Sequence, residues 1–442
     1  MNTRTTCATV VLIALALFAS AASAGNWPQW RGPHFNGSSA ETGLPTTFSP
    51  TENVAWKATL PGVGASTPIV WGDHVFLTAQ VAGSRELWAL CLDRGDGSVR
   101  WRKRMGTGFT NKQGNTGASP SAITDGKTVW FYFGTGELAA FDFAGNERWQ
   151  RNIDTDHGPF DLLWNYGATG LLLDGRLIIP VIHGPLDRPG GGTPGPAATG
   201  AKAARGFLLA VDPATGKDLW KQVRPTDAIH EAKQAYTTPV PFEGGGRKMV
   251  LVTGGDYVTG HDPATGKELW RSPTYNPAQD RNYRTIVSSA VADGMVLACA
   301  PRGGQRITAA AVGQASSKWT WEKREHSPDV ATPLTYQDKV FVLVGTRKTI
   351  LCLDPKTGDT LWEGDLGAKA VFQASPTGAD GKIYCINMKG ETVVLSAGDA
   401  FEVLHRVDMG GTDCRASIAV SDGQLFIRTD ARLFCIGTRK TK

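Results

Sequence analysis

Short apolar runs alternate with polar turns along almost the whole chain. Eight runs rich in aliphatic residues lie at 75–78, 129–133, 177–181, 249–253, 295–298, 340–344, 383–387 and 425–429. Each follows a shorter apolar stretch that opens with Ser or Thr, at 67, 119, 169, 238, 289, 332, 375 and 417, often followed by Pro. Pro is tolerated at the first residue of a strand. Each pair of runs therefore predicts the first two strands of a small antiparallel sheet.

A ten-residue phrase follows several of these runs and predicts two further strands. It reads VDPATGKDLW at 211–220, HDPATGKELW at 261–270, LDPKTGDTLW at 353–362 and LDRGDGSVRW at 92–101, with a shorter relative ending at Trp149. The Asp can accept turn N–H groups, and the Gly supplies the left-handed conformation of a hairpin. A tryptophan at a fixed repeat position favours packing against the neighbouring unit over ligand stacking. We predict this docking role for Trp56, Trp101, Trp149, Trp220, Trp270 and Trp362.

The two ends of the chain complement each other. Residues 53–57 resemble the last strand of a unit, while residues 414–442 supply three strands without a fourth. A repeat of about 40 to 50 residues is typical of propellers, solenoids and arrays, and a blade built from both ends removes open sheet edges. We therefore predict an all-β fold, an eight-bladed β-propeller of four-stranded blades, closed by an N-terminal strand that completes the last blade. The outer hairpins of the fifth and seventh blades are degenerate, near Trp319 and Ser396.

The first 24 residues predict a cleavable signal peptide. Arg4 precedes an apolar core at 10–19, and Ala22-Ser23-Ala24 fits the small-residue rule for cleavage before Gly25. Cys7 precedes the apolar core, so it does not form a lipoprotein cleavage site, and no later segment is apolar enough to span a membrane. We predict a lead-in segment at 25–52 and the propeller at 53–442. A Gly/Pro/Ala-rich insertion at 184–205 in the third blade is either a solvated mobile loop or a lid over the channel.

Charge and cysteine usage narrow the functional classes. The net charge of +5 is spread without Lys or Arg runs, which argues against a nucleic-acid partner. Six cysteines follow the signal peptide, and Cys91, Cys352 and Cys435 share one repeat position. That register favours small buried apolar residues over a disulfide framework, although the pairing stays open. No Cys-x-x-Cys occurs, so a zinc ribbon or attached haem is unsupported.

Candidate ligand-binding residues lie in the loops that a propeller would gather at one mouth of its channel. The densest polar loop, at 157–165, offers His157, Asp161, Trp164 and Asn165. These residues suit a calcium or quinone site in type, but two oxygen donors fall short of the six to eight that Ca²⁺ takes. Other loops offer His183, Asp256, Arg284, Arg302, Arg347, Lys389, Arg415 and Arg428. The cations predict a mouth for a carboxylate, phosphate or sulfate. Alternatively, they are solvated or paired with Asp256, Asp329 and Asp430.

The repeat resembles a known family. Ala210, Asp212, Thr215, Gly216 and Trp220 are similar to the tryptophan-docking repeat of pyrroloquinoline quinone (PQQ) propellers. Two parts of the N-terminal segment, WPQW at 27–30 and NVAW at 53–56, resemble the lead-in of quinoprotein dehydrogenases. The resemblance implies one of two functional classes on one scaffold.

In the first class, PQQ-dependent alcohol and sugar dehydrogenases, the resemblance implies a quinone and a calcium ion in the channel and an Asp as general base. This chain has no Cys-Cys pair and is shorter than many members of that class. In the second class, BamB-like non-catalytic propellers, it implies the same blades without a cofactor.

We therefore expect an exported, monomeric, non-catalytic scaffold without a cofactor or metal, which binds an envelope protein or a small anionic ligand. The alternative is a dehydrogenase that depends on PQQ and Ca²⁺.

Overall fold

Eight four-stranded antiparallel sheets form the protein, which is described here as a computed structural model. The structure describes residues 25–110, 114–160, 162–184, 206–302, 304–314 and 318–439. The innermost strands of several neighbouring sheets contact one another, including those of the last and first sheets. The predicted eight-bladed β-propeller is therefore confirmed. The predicted signal peptide and almost all of the insertion at 184–205 lie outside the described residues.

The blades are numbered in chain order, and their strands run from the channel outwards. The first four contain β2 (Ile69–Trp71), β3 (His74–Gln80), β4 (Glu86–Asp93) and β5 (Val99–Thr107); β6 (Ile123–Thr124), β7 (Thr128–Tyr132), β8 (Glu137–Asp142) and β9 (Glu147–Asn152); β10 (Leu171–Leu173), β11 (Arg176–Val181), β12 (Phe207–Val211) and β13 (Asp218–Val223); and β14 (Val240–Gly244), β15 (Arg247–Gly254), β16 (Tyr257–His261) and β17 (Glu268–Arg271).

The remaining blades repeat this order. They contain β18 (Ala290–Ala292), β19 (Met295–Ala300), β20 (Arg306–Ala311) and β21 (Trp321–Arg324); β22 (Leu334–Tyr336), β23 (Lys339–Val344), β24 (Thr349–Leu353) and β25 (Thr360–Asp365); β26 (Thr377–Ala379), β27 (Lys382–Ile386), β28 (Glu391–Ser396) and β29 (Val403–Asp408); and β30 (Ala419–Ser421), β31 (Gln424–Arg428) and β32 (Arg432–Ile436) with β1 (Val54–Thr59). Two helices lie in loops: α1 (Ile153–His157) and a 3₁₀ helix (His230–Lys233). In the part of the chain that is described, neither is long enough to cross a membrane.

Blade 8 closes the ring as predicted. Strand β1 pairs antiparallel with β32, and Trp56 lies opposite Cys435. Pairing of the two chain ends leaves the sheet with the same four strands as the other blades, so no blade lacks its outer strand.

Each repeat phrase folds into the turn and outer strand of a blade. Between β12 and β13 the register shifts after Ala210, which pairs with Trp220. The Trp220 Nε1–H donates to the carbonyl oxygen of Pro263 in the next blade, at 3.1 Å. A Cβ on Gly266, whose φ is 74°, would lie 2.5 Å from the indole. The tryptophan therefore rests directly on the glycine turn of its neighbour.

Six more tryptophans donate in the same way to a carbonyl of the following blade. The pairs are Trp56 with Arg94, Trp101 with Phe143, Trp149 with Pro213, Trp270 with Gln314, Trp321 with Pro355 and Trp362 with Gly398. Blade 5 uses Trp321, which the sequence analysis did not select. Trp319, which it noted there, donates instead to Thr274, at 3.1 Å. Trp321 takes the docking position because it pairs with Ala309 of β20.

All six cysteines of the described chain are free and buried, five of them in strands and Cys414 in the loop that precedes β30. Burial raises the pKa of the Cys91 thiol to about 12. The interpretation of these residues as small core side chains is therefore confirmed.

The lead-in segment crosses the channel at the end away from the loops that open the blades. Trp27 forms a bridge with Val70 of blade 1, and Ser38 forms one with Gly378 of blade 7. Between them, Pro28 accepts a hydrogen bond from Thr124 N–H of blade 2 at 2.9 Å. The segment thus closes this end of the channel and leaves the other end as its mouth.

Candidate functional site

A chain of hydrogen bonds circles the channel where the inner strands begin. In each case the backbone N–H of one blade donates to a Ser or Thr hydroxyl oxygen of the next. The bonds run from Thr67 to Ser121, Thr169, Thr238, Ser288, Thr332, Ser375 and Ser417 in turn, at 2.9–3.2 Å. We call the seven accepting residues, Ser121 to Ser417, the hydroxyl ring. The last junction, between blades 8 and 1, is bridged by the Arg428 guanidinium, which donates to Ser66 and Thr78.

A cavity of about 200 Å³ lies in the channel at the level of the hydroxyl ring. Five ring residues line it: Ser121, Thr169, Thr238, Ser375 and Ser417. Trp30 of the lead-in segment also contributes to the lining. Further polar residues come from the loops just before the inner strands, and we call them the mouth residues: Asn115, Trp164, Asn165, Tyr236, Arg284, Asp329, Gln373 and Arg415. The cavity is therefore a blind pocket that opens through the mouth.

One side of the mouth is built around Trp164. Its indole N–H donates to Glu231 Oε1 at 2.7 Å, and the Arg284 guanidinium lies over the ring, 5.5 Å from its centre. Arg284 Nη1 is 3.6 Å from the same Glu231 oxygen. The Tyr236 hydroxyl accepts a hydrogen bond from the backbone N–H of Trp164 at 3.2 Å. Burial raises the pKa of the Tyr236 hydroxyl. One carboxylate thus orients both the aromatic ring and the cation.

Two asparagines connect the loops beside this cluster. Asn115 Nδ2 donates to the Trp164 carbonyl at 3.0 Å, and Asn165 Nδ2 donates to the Asn115 carbonyl at 3.1 Å. Asn165 has a φ of 65°, a left-handed conformation that Asn adopts more readily than most residues. The side-chain nitrogens of Asn115 and Asn165 therefore hold the two loops together. Both side chains also line the cavity.

Arg415 belongs to another part of the mouth. Its Nε donates to Asp413 Oδ1 at 2.6 Å, and its side chain is only 16% exposed. A Cβ on Gly114 would lie within 2.0 Å of Arg415 Nη2, so the glycine lets the backbone approach the guanidinium. Both mouth arginines are therefore held by carboxylates that do not line the cavity.

Four predicted site residues come together at this cavity: Trp164, Asn165, Arg284 and Arg415. Three predicted cations, Arg302, Arg347 and Lys389, are exposed and are not among the cavity residues. Asp161 lies outside the described residues.

The other four predicted residues have partners elsewhere in the fold. His157 Nε2 lies 3.2 Å from Asp218, and burial lowers its pKa. His183 is buried edge-on against Phe207, with ring centres 6.0 Å apart. Asp256 is buried and accepts a hydrogen bond from Asn276 at 3.0 Å. Arg428 is fully buried at the seam between blades 8 and 1, which removes it from the cavity.

Sequence reasoning did not select Asn115, Tyr236, Gln373 or the hydroxyl ring as site residues. A usable signal was present, because these mouth residues precede a ring residue by two to six positions. Trp30 carried no such signal, since it reaches the cavity from a segment far away in sequence.

The donor set of the described cavity does not fit a Ca²⁺ ion. Ca²⁺ takes six to eight oxygen ligands, with carboxylates prominent among them. The cavity lining has one carboxylate, Asp329, and two guanidinium groups, which repel a cation. Within the described ranges, no three His, Cys, Asp or Glu residues are grouped closely enough to hold a metal.

Sequence comparison identifies a family. The family model described as outer membrane protein assembly factor BamB matches residues 46–162 and 204–439. No curated protein matches the chain in sequence.

Structural comparison finds the same fold in two functional classes. BamB from Moraxella catarrhalis is 16% identical with a TM-score of 0.58, over 87% of this chain and 97% of that one. Quinohemoprotein alcohol dehydrogenase from Comamonas testosteroni is 14% identical with a TM-score of 0.63, over 96% and 82%. A europium-containing methanol dehydrogenase is 11% identical with a TM-score of 0.63, over 92% and 90%. At these identities the likeness establishes the fold alone.

Proposed function

Because this chain belongs to the family described as outer membrane protein assembly factor BamB, we propose that it is a non-catalytic binding propeller of the cell envelope. In this proposal the channel mouth holds an anionic group of an envelope protein or of a small ligand. The fold comparisons include both a BamB and two dehydrogenases. The choice between the classes therefore depends on the chemistry of the mouth.

The observation that carries the proposal is the composition of the cavity wall. Hydroxyls, amides, two indoles and two guanidiniums surround a single carboxylate, Asp329. Such a wall offers many hydrogen-bond donors and few ligands for a metal. It supports binding of an acceptor-rich group over the calcium-assisted oxidation of an alcohol.

The two mouth arginines support an anionic ligand. Arg284 is held by Trp164 and Glu231, and Arg415 is held by Asp413. A guanidinium offers five N–H donors in a planar fork that can bind a carboxylate or a phosphate through two parallel hydrogen bonds. Each arginine is therefore oriented before a ligand arrives, which lowers the entropic cost of binding.

Reconstitution with PQQ and Ca²⁺ tests the proposal against the dehydrogenase alternative. Purified protein is incubated with both, and cofactor absorbance and dye reduction are followed over a panel of alcohols and sugars. We expect neither stoichiometric uptake nor turnover. Stoichiometric uptake with turnover would overturn the non-catalytic assignment.

Export is a separate part of the proposal and has its own test. We propose that residues 1–24 direct export and are removed. N-terminal sequencing of protein recovered from the envelope or medium of an expressing bacterium should begin at Gly25. Recovery from the cytoplasm with Met1 intact would contradict this.

A further inference from the structure

The hydroxyl ring holds hydrogen-bond donors that the fold leaves unused. Each of the five cavity-lining hydroxyls accepts one backbone N–H, and across the described residues this is its only hydrogen bond within the protein. A hydroxyl group has one proton to donate as well as two acceptor lone pairs. All five residues are at least nine-tenths buried. The backbone N–H uses one lone pair of each hydroxyl oxygen and leaves its proton unused. These protons are therefore available to a group inside the cavity.

We infer that the hydroxyl ring forms the floor of a binding site for a single carboxylate, which enters through the mouth between Arg284 and Arg415. The inference rests on the proposed function, since it specifies the group that the mouth accepts. Carboxylate oxygens accept hydrogen bonds only, so they complement a floor of O–H donors. Such charge-assisted hydrogen bonds are stronger than those between neutral groups.

The charges around the mouth favour a carboxylate over a phosphate or sulfate. Arg284 and Arg415 supply two positive charges, while Asp329, Glu231 and Asp413 supply three negative ones. A dianion would be repelled more strongly than a monoanion by this excess of carboxylates. A single carboxylate carries less charge and gains most of its hydrogen bonds from neutral hydroxyls.

The cavity volume limits the size of the ligand. The cavity has a volume of about 200 Å³. It is below the roughly 300–1,000 Å³ of pockets that enclose a drug-sized ligand. The site therefore fits a small organic acid or the terminal carboxylate of a longer ligand such as a peptide.

Calorimetric titration of the full-length mature protein distinguishes these ligands. The probes are acetate, phosphate and sulfate at constant ionic strength, and a Gly-Gly-Ala tripeptide with either a free or an amidated C-terminus. We expect acetate to bind at least about tenfold more tightly than phosphate or sulfate. Tighter binding of the free peptide than of acetate, abolished by amidation, would identify a chain terminus as the ligand. Equally tight binding of acetate and of the free peptide would identify a small organic acid as the ligand. Phosphate binding as tight as acetate binding would overturn the inference.

Ring variants supply a matched control. Ser375→Ala and Ser417→Ala each remove a hydroxyl that lines the cavity, whereas Ser288→Ala removes a ring hydroxyl that does not. All three leave one backbone N–H without its acceptor, so their thermal unfolding midpoints should fall by similar amounts. Acetate affinity should fall by about tenfold in the first two variants only. An equal loss in Ser288→Ala, or no loss in the other two, would refute the assignment.

The reconstitution with PQQ and Ca²⁺ keeps the two proposals distinguishable. Turnover in that assay would refute the non-catalytic function. It would leave standing the carboxylate site if acetate affinity still depended on the ring hydroxyls. Absence of both turnover and acetate binding leaves the non-catalytic function standing and refutes the carboxylate site.

Discussion

Replacing Asp256 with asparagine should remove a loss of stability that the wild-type protein suffers at neutral pH. Asp256 lies in the turn between β15 and β16 and is only 3% exposed. Burial raises the pKa of its carboxyl to about 7, and the nearby Asp227 and Asp280 add to the rise, while the Asn276 hydrogen bond and the positive charge of Arg224 oppose it. The folded protein therefore keeps a proton that the unfolded chain releases near pH 4.

The sign and size of the effect follow from this difference in pKa. Below the ordinary value of 3.8 both states are protonated, so the group does not change the free energy of unfolding. As pH rises from 3.8 through about 7, the unfolded state loses its proton first, and the free energy of unfolding falls. At about 1.4 kcal/mol for each pH unit, the total loss is about 4 kcal/mol by pH 8. Asparagine does not titrate, so it should avoid this loss.

The substitution preserves the local geometry. Asp256 accepts a hydrogen bond from Asn276 Nδ2 at 3.0 Å, and an asparagine oxygen can accept the same bond. Its φ of 69° is one that asparagine tolerates well. The comparison therefore isolates the charge of the buried carboxyl.

Guanidinium unfolding followed by tryptophan fluorescence at pH 4.5 and pH 8 measures the effect. Asp256→Asn should be more stable than wild type at pH 8, and the difference should shrink towards pH 4.5. The matched control is Asp338→Asn, an exposed aspartate with a φ of 57° in the turn between β22 and β23, which should show no such change. A difference that is independent of pH, or a variant less stable at pH 8, would refute the reasoning.

Three further predictions concern packing. Trp220→Phe should lower the free energy of unfolding by about 1 kcal/mol, because it removes the hydrogen bond to Pro263. Trp220→Ala should lower it by about 3–5 kcal/mol, because it also removes the packed ring. Guanidinium unfolding measures both, and equal effects of the two substitutions would contradict the docking geometry. Arg31→Met should make residues 25–50 sensitive to limited proteolysis, because the guanidinium donates to the Pro333 and Pro376 carbonyls of blades 6 and 7. Unchanged protection would show that other contacts hold this segment. Finally, a thiol reagent at pH 8 should label no cysteine of native protein beginning at Gly25 and all six after unfolding, because these thiols are buried; labelling before unfolding would contradict that burial.

The spacing of the apolar runs was sufficient to predict the blades. A strand with both faces covered must be apolar along most of its length, as in β11 and β23, and a hairpin must supply turn residues at a fixed offset. These are local requirements, so the sequence displays them directly. Trp321 shows the limit of this approach. The sequence before it, VGQASSK at 312–318, departs from the repeat phrase, and only the pairing with β20 identifies it as the docking residue.

The candidate site depended much more on tertiary structure. The sequence indicated which loops precede the blades and therefore which polar residues could reach the mouth. It did not indicate that Arg428 turns into the seam between blades while Arg415, thirteen positions earlier, lines the cavity. That outcome depends on the direction in which each side chain leaves its strand and on the partners it meets.

What the sequence alone determined is the repeated unit, its number of copies and the closure of the ring, because each depends on residues near one another or on a pattern that recurs. What only the tertiary structure decided is the cavity. Its wall combines hydroxyls from five blades with loop residues and with Trp30 from the segment that closes the far end. Such a wall requires groups separated by hundreds of residues to converge, and no local pattern encodes their distances.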